Sequence, residues 1–266
     1  MRYGKRGRWV AWVGLGACGL ALILAFGPLS RPALDDAIVV LRPAGQRAAP
    51  GGEGDVLTIL YSGDGGWADL DKEVASALVA SGMPVIGVNT FKYFWRQRSP
   101  EAAGADLDAL ITDYLAAWHK RRIWLIGFSF GADVLPSLID RLSPENRARI
   151  TQLVLLSPSR EATFEITLQG YMANQGRFRT FIKTTLEKLH RALELPALPA
   201  LDALQGRFPV ACYYGLGDAD ESLCTAPGLP PWVAVHARHG GHHFDEDYHR
   251  LAAEMLAELP HAGAAR

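Results

Sequence analysis

The sequence predicts an α/β fold with a mostly parallel central sheet, helices on both faces and a lid-like insertion. Three observations point there. Short apolar runs alternate with amphipathic stretches along the chain, the pattern of strands joined by covering helices. One run leads into Gly127-Phe128-Ser129-Phe130-Gly131, a G-x-S-x-G pattern that works as a nucleophile elbow when a strand precedes it and a helix follows. Farther on, an Asp-rich turn and a His-rich turn each follow a strand-like run.

The strand-like runs are Val56 to Tyr61, Pro84 to Val88, Arg122 to Ile126, Gln152 to Leu156, Pro209 to Tyr214 and Trp232 to Ala237. Each is rich in β-branched or aromatic residues and bounded by Gly, Pro, Asp or Ser. Between them Leu70 to Val79 reads as an amphipathic helix. Pro100 to Trp118 is another, with Ser99 as N-cap and Pro100 at the first helical position. Phe130 to Arg141 carries Val134, Leu135, Leu138 and Ile139 as an apolar stripe, and Asp245 to Leu259 closes the chain as a helix. An insertion at about 160–206 breaks the rhythm, with a helical run at 177–195. A connection this long is usually functional, and over such a site it would act as a lid.

At 266 residues and 49% apolar content, the chain has length for one sizeable domain and a short appendage. A net charge of −1 argues against nucleic acid as a partner. Charge is uneven, however. Arg2, Lys5, Arg6 and Arg8 precede the apolar run Trp9 to Gly27, and no acid appears before Asp35; beyond residue 30 the chain carries 23 basic and 28 acidic side chains. Such a run is just long enough to cross a membrane, and its basic flank should stay in the cytoplasm, exporting the rest. Residues 1–30 therefore read as a signal-anchor segment. A cleaved signal peptide and lipoprotein processing at Leu15-Gly16-Ala17-Cys18 are the alternatives. Residues 31–54, rich in Pro, Gly and Ala, read as a tether with one edge strand at 37–41, and the globular domain spans 55–260. Outside the cytoplasm, Cys212 and Cys224 would form a disulfide.

The site follows from chemistry. A serine nucleophile needs a base, and the base an orienting acid. In α/β-hydrolases these come in the order Ser, acid, His. The run Pro209 to Tyr214 ends in Gly215-Leu216-Gly217-Asp218-Ala219-Asp220, and the next ends in Arg238-His239-Gly240-Gly241-His242-His243-Phe244. Both turns lie past the C-terminal ends of strands, on the elbow's edge of the sheet, where ligands bind in open α/β sheets. The triad is then Ser129, Asp218 and His242, with Asp220 and His243 as alternatives for acid and base. The oxyanion donors are the backbone amides of Phe130 and of Asp64, the latter within Ser62-Gly63-Asp64-Gly65-Gly66. No cofactor is expected. The histidine cluster at 239, 242, 243 and 249 has no zinc-helix spacing, so no metal is expected either. Lys92 and Arg96 follow a strand on the same edge, and Asp133 lies four residues past Ser129, where an acid is favoured at a helix start.

Several stretches carry a family resemblance: "YSGDGGW", "FKYFWRQRSPE", "IGFSFGADVLP", "LLSPSREATFE", "YGLGDADESLC" and "GGHHFDEDY". Together they resemble the bacterial virulence protein VirJ and the matching C-terminal domain of AcvB, over roughly residues 55 to 258. The resemblance implies a periplasmic α/β-hydrolase that cleaves the aminoacyl ester of aminoacyl-phosphatidylglycerol, the lysyl form above all. For such a substrate Lys92 and Arg96 would meet the phosphate, unless their loop only packs its aromatics on the core, and Asp133 would pair with the ammonium group, unless it is only a helix-start acid. It also implies an association with type IV secretion components, which makes a binding or chaperone-like role the alternative. Carried onto this chain it matches Ser129 and His242 most clearly. The acid matches less clearly, since "GDADE" offers three carboxylates.

Overall fold

Alternation of side chains along each strand decides which face a helix can cover, and the sheet is built accordingly. The structure is a computed structural model that describes residues 33–43, 55–166 and 194–260. The strands are β1 (Ile38–Leu41), β2 (Val56–Tyr61), β3 (Val85–Val88), β4 (Arg122–Phe128), β5 (Ile150–Leu156), β6 (Glu161–Thr163), β7 (Glu194–Pro196), β8 (Val210–Gly215) and β9 (Val233–Arg238). The helices are α1 (Asp69–Ala80), α2 (Thr90–Tyr93), α3 (Pro100–Ala117), α4 (Phe130–Ile139), α5 (Pro144–Ala148), α6 (Ala197–Asp202) and α7 (Tyr248–Glu258). Seven strands form the main sheet in the order β1-β3-β2-β4-β5-β8-β9. All neighbours are parallel except β1, which runs antiparallel on β3. β6 and β7 form a separate antiparallel pair.

Along β2, Leu57, Ile59 and Tyr61 enter one core with α3 and α4, while Val56 and Leu60 enter the other with α1 and α7. Both faces are thus covered, as the continuous apolar runs require. Ser99 caps α3, its hydroxyl accepting from the Ala102 amide at 3.2 Å ahead of Pro100. The edge strand expected at 37–41 is β1, which follows a 3-10 turn at Leu34–Ala37 and pairs Ile38 with Val88 and Leu41 with Val85; Val40, on the outer edge, is 46% exposed. One boundary departs from the sequence reading. The last helix starts at Tyr248 instead of Asp245, because Phe244, Asp245 and Glu246 take positive φ values of 54°, 53° and 60°, a left-handed turn that cannot continue a right-handed helix.

The helical run expected at 177–195 lies outside the described residues apart from its last two, which belong to β7. The anchor expected at 1–30 also lies outside them. Among the described residues no helix is long and apolar enough to cross a membrane.

Candidate active site

β4 delivers the chain to a bend that only small residues can make. A Cβ on Gly127 would lie 2.6 Å from the backbone of Gly131 and Ala132, and one on Gly131 would fall on the Tyr61 carbonyl. The Gly131 amide instead donates to the Ser62 carbonyl at 3.1 Å, and the Ser129 amide to the Leu156 carbonyl at 2.8 Å. Between the glycines Ser129 is held at φ 50°, ψ −118°, at the N-cap of α4. A non-glycine residue persists in such a conformation only when its surroundings impose it, and elbows of this kind push the serine hydroxyl outward.

Strain marks the rest of this edge as well. Ser157, directly after β5, has φ +47°. Its amide donates to the Tyr213 carbonyl at 2.8 Å, and its hydroxyl to the His242 carbonyl at 2.9 Å. Together with the left-handed turn at 244–246, these residues ring the C-terminal ends of β4, β5, β8 and β9.

The acid and the base meet there. His242 Nδ1 lies 3.3 Å from Asp218 Oδ2. The approach has ion-pair distance but lacks hydrogen-bond alignment, since among the described residues Oδ2 finds no well-directed donor; catalytic hydrogen bonds commonly tighten only as the transition state forms. The acid loop is pinned to the histidine loop by the Gly217 amide, which donates to the Gly240 carbonyl at 2.8 Å. Asp220 is exposed and makes no such contact. His243 is exposed too, and turns its Nδ1 to the Tyr248 hydroxyl at 3.3 Å. Phe128 separates the two imidazoles from the core, with ring centroids 5.3 Å from His242 and 5.4 Å from His243. Burial lowers the His242 pKa from its ordinary value, an effect the Asp218 charge opposes. The imidazole is therefore neutral at neutral pH, the form a general base requires.

Cys212 on β8 and Cys224 are joined in a disulfide that closes the loop carrying Asp218 and Asp220. The Phe130 amide, first in α4, and the Asp64 amide find no backbone acceptor among the described residues, so both remain available as donors. Among the same residues no group of three or more His, Cys, Asp or Glu could hold a metal ion.

Of the residues expected to bind substrate, the structure treats each differently. Lys92, in α2, is exposed, and Arg96, on the segment after it, is half-buried. Phe94 from that segment packs on Phe130 at 5.1 Å, which seats it beside the elbow. Arg98 turns inward instead, 6% exposed, stacked on Tyr93 and paired with Asp106 at 3.3 Å. Asp133 is not at the site mouth. It is 7% exposed, and its Oδ1 accepts from the Ser159 amide at 2.6 Å. Four residues on from Ser129 is one helical turn, and that turn faces the 157–159 segment. The exposed carboxylate in this region is Asp64, close enough for its charge to act on both Asp133 and His242.

Burial raises the Asp133 carboxyl pKa to about 7, so it stays protonated well above an ordinary carboxyl. The folded chain then holds a proton that the unfolded chain has released. The stabilisation is full below the unfolded value near 3.8 and is lost as pH rises toward 7. Asp133→Asn keeps an acceptor for Ser159 but cannot ionise. Relative to this variant, the wild type is expected to lose on the order of 1 kcal/mol per pH unit between about pH 4 and 7. Urea unfolding midpoints of the two proteins across that range check it; parallel curves would refute the assignment.

A family model described as bacterial virulence protein (VirJ) matches residues 55–262. The chain belongs to the VirJ family. No individual curated protein matches its sequence. Solved structures match its fold. An α/β serine hydrolase homologue from Coxiella burnetii shares 17% identity over 84% of this chain and 91% of that one, with a TM-score of 0.53. An esterase from Pyrococcus furiosus shares 19% over 77% and 82%, TM-score 0.51. A lipase from Bacillus licheniformis shares 12% over 84% and 97%, TM-score 0.50. The VirJ fold in this chain is thus that of the α/β-hydrolases.

Sequence reasoning missed Ser157 and Thr90. Both are small polar residues within two positions of a strand's C-terminal end on the active edge, and that position is the signal that could have singled them out.

Proposed function

We propose that the protein is a serine hydrolase of carboxylic esters, with Ser129 as nucleophile, His242 as general base and Asp218 as the acid that orients it. The observation that carries this reading is the left-handed Ser129 at the head of α4, on the sheet edge where His242 and Asp218 stand 3.3 Å apart. Ser129 Oγ attacks the ester carbonyl while His242 takes its proton; the amides of Phe130 and Asp64 receive the developing oxyanion. His242 then protonates the leaving alcohol, and water repeats the sequence to release the acid. The names of the similar folds, a serine hydrolase homologue, an esterase and a lipase, support the reaction class.

The substrate in this proposal is aminoacyl-phosphatidylglycerol, met at the outer face of the inner membrane by a chain anchored through residues 1–30. Lys92 and Arg96 would take the phosphate. With Asp133 buried, the exposed Asp64 carboxylate is the counter-charge for an α-ammonium group. A second reading draws on the family's description as a virulence protein: a hydrolase-fold binding protein acting beside type IV secretion components.

One experiment separates these. The full-length protein is treated with a fluorophosphonate probe and given lysyl- and diacyl-phosphatidylglycerol in mixed micelles. The enzyme reading expects labelling at Ser129 and much faster cleavage of the lysyl lipid. Asp64→Asn should narrow that gap, while Asp133→Asn leaves it. Equal kcat/KM on both lipids would remove the aminoacyl substrate, and an unlabelled Ser129 would leave the binding reading.

A further inference from the structure

The loop 62–66 carries three glycines in four positions, and a backbone so permissive would not hold one amide in a fixed direction by itself. Two buried hydroxyls converge on it. Ser62 and Thr90 are each 0% exposed. The Thr90 amide donates to Ser62 Oγ at 3.1 Å, and the hydroxyls of Thr90 and Ser62 both donate to the Gly63 carbonyl, the latter at 3.1 Å. The Gly66 amide adds a third donor to that carbonyl at 3.0 Å. Gly63 stands beside the elbow: a Cβ there would lie 3.5 Å from Ser129 Cβ.

The peptide plane converts this into a direction. All peptide bonds among the described residues are trans, so the N–H that follows a carbonyl points opposite to it. With the Gly63 carbonyl drawn inward to Thr90 and Ser62, the Asp64 N–H is turned outward, and among the described residues it finds no acceptor of its own. We infer that Thr90 and Ser62 are positioning residues that lock the Gly63–Asp64 peptide so that the Asp64 amide is presented to the oxyanion formed at Ser129. The inference rests on the serine-hydrolase reading above. Neither hydroxyl touches substrate. Their effect reaches the reaction through one peptide, and it is felt when negative charge develops on the carbonyl oxygen.

The test uses the full-length protein, p-nitrophenyl butyrate as substrate and a fluorophosphonate as a second probe, because both reactions build charge on an oxygen bound at the same place. Thr90→Val removes the hydroxyl at nearly constant volume. It should lower kcat about tenfold or more while KM stays within about twofold, and slow phosphonate labelling by a similar factor; loss of a whole oxyanion donor typically costs about 10²- to 10³-fold. Thr90→Ser restores the hydroxyl and should recover kcat to within about threefold of wild type. A role in loop stability alone would move the thermal midpoint without this split between kcat and KM. Should Thr90→Val fail to fold, Ser62→Ala takes its place with the same expected pattern. An unchanged kcat in the hydroxyl-less variant, a Thr90→Ser variant as slow as Thr90→Val, or a loss confined to KM would each overturn the inference while wild-type labelling at Ser129 stands. Absence of labelling in the wild type would remove the hydrolase reading, and the inference with it.

Discussion

Ser129→Ala is expected to fold with a thermal midpoint close to wild type and to lose ester hydrolysis by a factor on the order of 10⁴ or more. The size of the loss follows from how a triad works. Its members act as one unit, and removing the nucleophile leaves the contributions of the oxyanion donors and of substrate binding. Stability should be spared because the elbow is fixed by backbone bonds, from the Ser129 amide to Leu156 and from the Gly131 amide to Ser62, and by the close approach of Gly131 to Tyr61. Alanine tolerates the left-handed φ of 50° no better than serine. The variant tests the oxygen and leaves the turn. Turnover of p-nitrophenyl butyrate and of lysyl-phosphatidylglycerol measures it. Full activity would show that the hydrolysis comes from elsewhere.

Much of this geometry was legible in the sequence because strand ends are. A run such as Pro209 to Tyr214 followed by Gly-x-Gly-Asp fixes where the chain leaves the sheet, and parallel order then sets every such exit on one edge. Ser129, Asp218 and His242 could be assigned to that edge from alternation alone. The positions that escaped depend on direction within a turn. Asp133 lies one helical turn from Ser129, which places it near the elbow, but whether its carboxylate faces the mouth or the 157–159 segment depends on where Ser159 lies. The basic-aromatic run 92–98 divides for a similar reason. Tyr93 and Phe94 are fully buried, Arg98 follows them inward, and Trp95 is 38% exposed with Lys92 and Arg96 on the accessible side. Composition cannot make that division, since all of these residues sit within seven positions. The edge strand β1 was visible as an apolar patch, but its partner β3 lies more than forty residues on, and no local pattern announces an antiparallel pair between them.

Asp218→Asn is expected to lower kcat by about 10³- to 10⁴-fold, and Asp220→Asn to cost less than about threefold. An orienting acid holds the histidine in the tautomer whose other nitrogen is free to accept, and it stabilises the imidazolium that forms. Asp218 Oδ2 stands 3.3 Å from His242 Nδ1, whereas Asp220, two residues on in the same loop, is exposed. An asparagine at 218 can present an N–H to Nδ1, which favours the wrong tautomer and turns the proton toward Ser129. The pH profile gives an independent reading. The Asp218 charge raises the His242 pKa against the larger lowering by burial. Without that charge the pKa falls further, so the acid limb of kcat/KM in Asp218→Asn should move to lower pH even as the plateau drops. In Asp220→Asn it should stay in place. Substitution at a merely structural carboxylate would lower the plateau without moving the limb. If Asp220→Asn gave both the large loss and the shift, the acid would be Asp220, and the 3.3 Å pair would be a resting contact that the reaction does not use.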